Sequence, residues 1–507
     1  MLPVNPLDIP EILLCVASYL KPEDIARYLS VSKFWYNALL PLRWRTVRVV
    51  SRPYHSRFRR YMDHFGPRSD ILRRHQHLIL DLTIVPDRSK IDPWTYSNLK
   101  TLTLGHPSKP ISEKPVLSLD LKEMFPSVAE LNLNSFRVFQ ETWLSLSTHS
   151  HITTLSLYDI RVRATHGPVF WRLCAKLENL ALERANIEVE TTSENAMFDR
   201  MRQLKLVDVE GLKAESQLDL IIRCPNLKGL HWRYNYPFEY HNAVNFGNLV
   251  NPGSMALPLS AIDSIPKGNW PYLEDLDVEV DDADLASILG GIGGISGGLR
   301  FLKPRNLNLC EQVSSALGRH YNTLVKLELG DSFFDEDFDL LNILCNCHSL
   351  EILHARGGVD ADDVAMEGPW TCRLLRELTL GFWFDTEHQD FHQDVLERLS
   401  ALDQLESLGI FYRLYDDSPK PYEPSGFEFR LDRGLGQLAS LRQLKSLTFV
   451  DGSNPLTIKP QLGMEEVEWM TTNWTQLRRV AGQFNRSPEE NAKLKDAFIR
   501  RGIEVCE

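Results

Sequence analysis

The sequence predicts an α/β solenoid, with parallel strands on a concave face and helices on a convex face, preceded by a short N-terminal module of three helices. Three observations predict it. An L-x-x-L-x-L pattern recurs, as in Leu99-Lys-Thr-Leu102-Thr-Leu104, Val128-Ala-Glu-Leu131-Asn-Leu133, Ile152-Thr-Thr-Leu155-Ser-Leu157, Leu177-Glu-Asn-Leu180-Ala-Leu182 and Met201-Arg-Gln-Leu204-Lys-Leu206. From residue 99 to residue 227 the successive copies start 29, 24, 25, 24 and 26 residues apart. The intervals carry apolar residues at helical spacing, such as Leu218, Ile221 and Ile222, then Phe338, Leu341, Leu344 and Cys345, then Val395, Leu396 and Leu399.

Each unit therefore reads as strand, turn, helix and return. Further copies begin at Leu227, Leu273, Leu324, Leu350, Leu375, Leu405 and Leu444, with weaker ones at Trp44, His77, Pro304 and Leu477. The period matches the leucine-rich repeat, whose units run about 20 to 29 residues. Strands stack about 4.8 Å apart while packed helices need about 10 Å, so the strand side should become the inside of an arc. The leucines point to the core and the residue between the last two points outward. That row reads Thr103, Asn132, Ser156, Ala181, Lys205, His231, Asp277, Glu328, His354, Thr379, Gly409 and Thr448. Its polar, mixed-sign character suits protein binding better than catalysis.

Ahead of the repeats, Ile9, Ile12, Leu13, Val16, Tyr19 and Leu20 fall on one helical face, with Pro10 suited to the first turn. Lys21-Pro22-Glu23-Asp24 starts a second helix striped by Ile25, Tyr28 and Leu29. A third, from about Lys33 to Leu40 with Trp35 and Leu39, is expected to stop at Pro41. In order and spacing, Ile9-Pro10-Glu11-Ile12-Leu13, Tyr19-Leu20-Lys21-Pro22-Glu23-Asp24, Val31-Ser32-Lys33-Phe34-Trp35 and Trp44-Arg45 resemble the F-box. The resemblance implies an apolar face that docks onto a small Skp-type adaptor of a cullin-RING ubiquitin ligase. The matching positions are Ile9, Pro10, Ile12, Leu13, Val16, Leu20, Ile25, Val31 and Trp35.

Composition limits the alternatives. Residues 43 to 74 hold ten arginines against Asp63 and Asp70, a local charge of +8 inside a chain of net charge −12, which leaves −20 on the remainder. That balance argues against nucleic-acid binding by the whole chain. It leaves RNA binding through 43–74 as a rival reading, with Trp44, Tyr54, Phe58, Tyr61 and Phe65 as stacking groups. No apolar run approaches a membrane span or a secretory signal, so the expected location is cytoplasmic, nuclear or both. Eight scattered cysteines form neither a disulfide framework nor zinc-type pairs.

Other motifs weigh little. Ser30-Val-Ser-Lys33 lacks the partner motifs of an S-x-x-K nucleophile. His388 and His392 could share a helix face, but Gln389 stands where a metalloprotease has glutamate. The run Gly290 to Gly298 breaks the G-x-G-x-x-G pattern at Ser296 and reads as an inter-repeat loop. Cys345-Asn-Cys347-His348 is too compressed for a tetrahedral site, and Cys345 fits a helix stripe. The acidic runs Asp331–Asp339 and Asp360–Asp363 lack calcium-loop spacing. The sequons at Asn473 and Asn485 read as chance matches.

The expected organisation is an F-box-like domain over 1–48, a basic linker over 49–76 and a repeat solenoid over 77–507. The steps of 46 residues from Leu227 and 39 from Leu405 place insertions at about 233–270 and 411–440. Aromatics cluster in or beside them, in Trp232 to Tyr240, Gly381-Phe-Trp-Phe384 and Phe411 to Tyr415. Tyr234, Tyr236, Trp383 and Tyr412 are the expected target-binding anchors, since exposed aromatics dominate interface energetics. The sequence thus predicts a non-enzymatic adaptor, without cofactor or metal, linking an unidentified target protein to a ubiquitin ligase. A repeat scaffold unconnected to ubiquitin is the alternative.

Overall fold

A computed structural model describes residues 7, 9–50, 74–85, 96–105, 116–117, 120–188, 197–234, 265–266, 268–293, 298–305, 308–309, 311–330, 333–334, 340–383, 392–412, 429–451, 461–485 and 487–506. The chain divides into two compact units, Met1–Asn226 and Leu227–Glu507.

In the first unit, helices α1 (Pro10–Ala17), α2 (Pro22–Tyr28) and α3 (Lys33–Arg45) precede the sheet. Pro10 and Pro22 sit in the first turns, where no amide hydrogen is required. Ser32 caps α3 by accepting a hydrogen bond from the Trp35 backbone N–H at 3.1 Å. Unlike the expectation, α3 runs through Pro41 to Arg45. The proline removes one helical hydrogen bond, but Leu39 on one side of it and Leu42 on the other both pack into the small helical core, which offsets that loss.

Seven strands follow the repeat: β1 (Thr46–Val50), β2 (Asp81–Val85), β3 (Thr101–Leu104), β4 (Glu130–Asn134), β5 (Thr154–Tyr158), β6 (Asn179–Glu183) and β7 (Gln203–Val207). They are parallel and in register, so Val47, Leu82, Leu102, Leu131, Leu155, Leu180 and Leu204 stand side by side. Between strands the chain forms α4 (Leu121–Met124), α5 (Gln140–Thr148), α6 (Gly167–Cys174) and α7 (Ala214–Ile222). Their buried residues, among them Trp143, Leu146, Phe170, Leu218 and Ile221, complete the core against the strand leucines. Each strand from β3 to β7 ends in a left-handed residue: Gly105, Ser135, Asp159, Arg184 and Asp208, at φ of 95°, 58°, 53°, 51° and 53°. The turn aims a backbone N–H at a neighbouring strand's carbonyl, from Ser135 to Tyr158, Asp159 to Glu183 and Arg184 to Val207. At Gly105 a side chain is excluded, because a Cβ would lie 2.0 Å from the carbonyl oxygen of Asn134.

The second unit repeats the scheme with β8 (Gly229–Arg233), β9 (Asp275–Glu279), β10 (Phe301–Pro304), β11 (Lys326–Gly330), β12 (Ile352–Asp360), β13 (Glu377–Trp383), β14 (Ser407–Tyr412), β15 (Ser446–Asp451), β16 (Arg479–Ala481) and β17 (Glu504–Cys506). All are parallel, with Leu230, Leu276, Leu302, Leu327, Leu353, Leu378, Leu408, Leu447, Val480 and Val505 in one register. Helices α8 (Asp282–Gly291), α9 (Glu311–Leu317), α10 (Leu340–Asn346), α11 (Ala361–Met366), α12 (His392–Ser400), α13 (Met464–Asn473) and α14 (Pro488–Arg500) intervene. Each unit is thus a leucine-rich-repeat solenoid. No helix among the described residues is long and apolar enough to cross a membrane.

Three expectations shift. The copy read at His77 starts at Ile79, since Leu82 pairs with Leu102 and Ile79 is fully buried. The copy read at Pro304 starts at Leu299, because Leu302 is the residue facing Leu276. The last strand, Glu504–Cys506, had no leucine pattern to announce it. The register gives a direct test. Leu204 is 1% exposed, whereas Lys205 points outward and pairs with Glu183 at 2.7 Å. Leu204→Ala should lower unfolding free energy by about 2–5 kcal/mol and Lys205→Ala by about 0–1 kcal/mol in chemical denaturation. Equal losses would mean that the strand faces are assigned the wrong way round.

Candidate functional site

Two surfaces stand out, one in each unit. The first is the helical module. Leu13, Ala17, Ile25 and Leu39 form its core, with Leu20, Leu29, Trp35, Ala38 and Leu42 packed against them. Leu13 is 2% and Ile25 7% exposed, so both are committed to holding the helices together, and Leu20 and Trp35 are half-buried. Ile9, Pro10, Ile12, Val16 and Val31 remain exposed, Ile12 by 39% and Val31 by 58%. Leu14, Tyr19, Tyr28, Phe34 and Tyr36 join them. Nine of the 17 exposed large hydrophobic residues described thus fall between Ile9 and Tyr36. Scattered apolar residues are normal on a surface, whereas here they concentrate on three short helices.

The second surface is the outward side of strands β8 to β13. Asp277 is 9% exposed and takes two hydrogen bonds from Arg305, Nε to Oδ1 at 2.8 Å and Nη2 to Oδ2 at 3.0 Å. His231 Nε2 lies 3.6 Å from the same carboxylate. Burial disfavours the Asp277 charge, but the Arg305 hydrogen bonds, with His231 and Arg233 nearby, outweigh it and hold its pKa below the ordinary value. Glu328 is likewise held low, against its burial, by Lys303 and Lys326. The Lys326 ammonium lies 2.6 Å from Glu328 Oε1 and 5.1 Å from the centre of the Phe301 ring. His354 Nε2 lies 3.2 Å from Glu377 Oε2. Charges of both signs are therefore held at set positions across neighbouring strands.

The four expected anchors are less fully described. Tyr234 is half-buried directly after β8, and Trp232 beside it is a core residue at 1% exposure. Trp383 and Tyr412 end β13 and β14, while their side chains, like all of Tyr236, lie outside the described residues. So do most of both insertions and most of the arginine-rich stretch, of which Trp44 stacks on His75 with ring centres 4.6 Å apart.

The remaining motifs have structural work. Ser32 is the α3 cap described above. Cys347, rather than Cys345, is the core thiol, and burial pushes its pKa to about 12, while half-exposed Cys345 reaches the Gly368 carbonyl. Gly290 and Gly291 finish α8 instead of beginning a loop. Asp362 and Asp363 lie in the first turn of α11, where the helix dipole favours them; 331–332 and 335–339 lie outside the described residues. The first sequon's Trp474 is buried, donating its indole N–H to the Leu438 carbonyl at 2.9 Å, and Asn485 of the second bonds the Leu462 carbonyl. Among the described residues no group of His, Cys, Asp or Glu could hold a metal ion.

His388 lies outside the described residues, and His392 is 3% exposed in α12. Burial, with Arg433 nearby, lowers the His392 pKa from 6.5 to about 4. The unfolded chain then binds a proton at higher pH than the folded one. Stability from the neutral ring is full above pH 6.5 and is lost as pH falls towards 4. Relative to His392→Gln, the wild-type chain should lose about 3 kcal/mol more over that interval in denaturation measured at each pH. Parallel pH profiles for the two proteins would contradict this.

No family model matches the sequence, and no curated protein matches it. Among solved structures, the chain is similar to an internalin (inlF) from Listeria monocytogenes str. 4b F2365, at 14% identity and a TM-score of 0.41, covering 70% of this chain and 82% of the internalin. It is also similar to TLR13 in a complex with ssRNA13, at 12% identity and a TM-score of 0.42, covering 85% of this chain and 59% of TLR13. Both are leucine-rich-repeat proteins; the repeat fold of this chain stands on its own parallel register and recurring left-handed turns.

Proposed function

We propose that this chain is a substrate receptor of a Skp-cullin-F-box ubiquitin ligase. Its three-helix module docks on the Skp-type adaptor, and its repeats hold the target protein. The observation that carries the reading is the concentration of exposed apolar residues on α1 to α3, outside the core of Leu13, Ala17, Ile25 and Leu39. The F-box resemblance of the same segment supports it. Leu13 and Ile25 serve the module's own core, so Ile9, Pro10, Ile12, Val16 and Val31 form the docking face, with Leu20 and Trp35 at its base. Tyr234, Tyr236, Trp383 and Tyr412 are proposed to anchor the target. The chain performs no bond chemistry in this scheme. It raises the effective concentration of target near the transfer machinery.

The test uses exposed positions, so that the fold survives. Ile12→Asp with Val31→Asp places two carboxylates in an apolar interface, where each costs about 1–3 kcal/mol or more unpaired. The double variant should weaken binding to a purified Skp-type adaptor at least about 100-fold in calorimetry, with an unchanged melting temperature. Affinity purification of the wild-type chain should bring down the adaptor and a cullin, and the variant should lose both. Normal adaptor binding by the folded variant would sink the proposal. Absence of adaptor and cullin from the wild-type purification would favour a scaffold unconnected to ubiquitin, and salt-sensitive RNA capture would favour the arginine-rich stretch.

A further inference from the structure

The strand register of the second unit creates a row that is not apparent from any single repeat. Taking the first outward residue of each strand, Asp275 stands beside Phe301, Phe301 beside Lys326, Lys326 beside Ile352 and Ile352 beside Glu377. Across five neighbouring strands the row reads acidic, apolar, basic, apolar, acidic. Asp275 is exposed and the other four are half-buried, so all five reach solvent. In the adjacent row Asp277 pairs with Arg305, and Glu328 pairs with both Lys303 and Lys326, which keeps these charged side chains in place before any partner arrives.

We propose that this row is the docking track for an amphipathic helix of a partner protein. The inference rests on the reading of the repeats as the target-binding part, and it names the chemistry of the bound segment. Strands stack about 4.8 Å apart, so like elements of the row recur every two strands, or about 9.6 Å. Two turns of helix, seven residues, rise about 10.5 Å. A β-strand does not match, because its same-face side chains recur about every 6.6 Å. The complementary helix carries a basic group at i, an apolar one near i+4, an acidic one at i+7, an apolar one near i+11 and a basic one at i+14. The pattern reads the same in both directions, so the track accepts either helix polarity. Phe301 and Ile352 supply the apolar contact, while Asp275, Lys326 and Glu377 fix register and reject the inverted charge order. A nucleic-acid backbone is disfavoured along this row, since Asp275 and Glu377 at its two ends would face its phosphates.

The probe is a synthetic helical peptide with Lys, Leu, Glu, Leu and Lys at those five positions on an alanine and glutamine background. Its control has Glu, Leu, Lys, Leu and Glu instead. Fluorescence anisotropy with the full chain should show the first peptide bound at least about ten-fold more tightly than the second. Lys326→Glu should remove most of that preference. Glu377→Lys, at the far end of the row, should weaken the first peptide independently, which keeps the test decisive if Lys326→Glu disturbs its pairing with Glu328. Phe301→Ala with Ile352→Ala should weaken both peptides. Equal binding of the two peptides, no binding of either, or an unchanged preference in a folded Glu377→Lys protein would overturn the track. Adaptor binding through α1 to α3, measured on the same samples, separates failure of this surface from failure of the ligase reading.

Discussion

The parallel hydrogen-bond ladder between strands only about five residues long is the constraint on which the rest of the structure depends. A strand this short gains little by itself. It is held because its leucine sits beside the leucine of the next strand, from Leu102 to Leu204 in one unit and from Leu230 to Leu447 in the other. A one-residue slip would turn every leucine outward and every charge inward, so register and core are one decision. The left-handed residues after β3 to β7 protect that decision, since each ends a strand at the same point, and Gly105, Ser135, Asp159 and Arg184 each add a hydrogen bond to a neighbouring strand. Ser135, Asp159, Arg184 and Asp208 adopt this conformation without being glycine. The small backbone cost is tolerated because the strand ladder beside each turn fixes it.

The same periodicity converts a sequence interval into a spatial neighbour. Asp275, Phe301, Lys326, Ile352 and Glu377 lie 26, 25, 26 and 25 residues apart, yet form one line across the sheet. Partly buried ion pairs such as Asp277 with Arg305 add little net stability, because the cost of desolvating both charges offsets their attraction. Their value lies in discrimination, because a partner with the wrong order of charges meets repulsion at several points at once.

Most of the repeat was legible in the sequence, because leucines at fixed offsets report a buried face directly. Where leucine gave way to isoleucine beside other apolar residues, as at His77-Leu-Ile79-Leu80, several registers fitted the pattern, and only pairing with Leu102 selects Ile79. The strand at Glu504–Cys506 uses Val505 alone and carried no recognisable signal. The candidate surfaces were legible in part. The F-box resemblance grouped Ile12, Leu13 and Ile25 as docking positions, but which of them face inward depends on how three helices cross, a non-local matter. On the sheet, the residue between the second and third leucines drew attention, whereas the more ordered row lies two residues earlier. Reading the first outward position in each copy would have found it. The aromatic segments misled at Trp232, whose ring belongs to the repeat core rather than to an insertion.

The central claim is that adaptor docking is confined to the exposed helical face and leaves the repeats free. Hydrogen–deuterium exchange of the full chain, with and without a purified Skp-type adaptor, tests it most directly. The account predicts slowed exchange in α1, α2 and the first turns of α3, with the amides of β4 to β7 and β9 to β15 unchanged. Absence of protection in the helices, or protection centred on the strands, would contradict it.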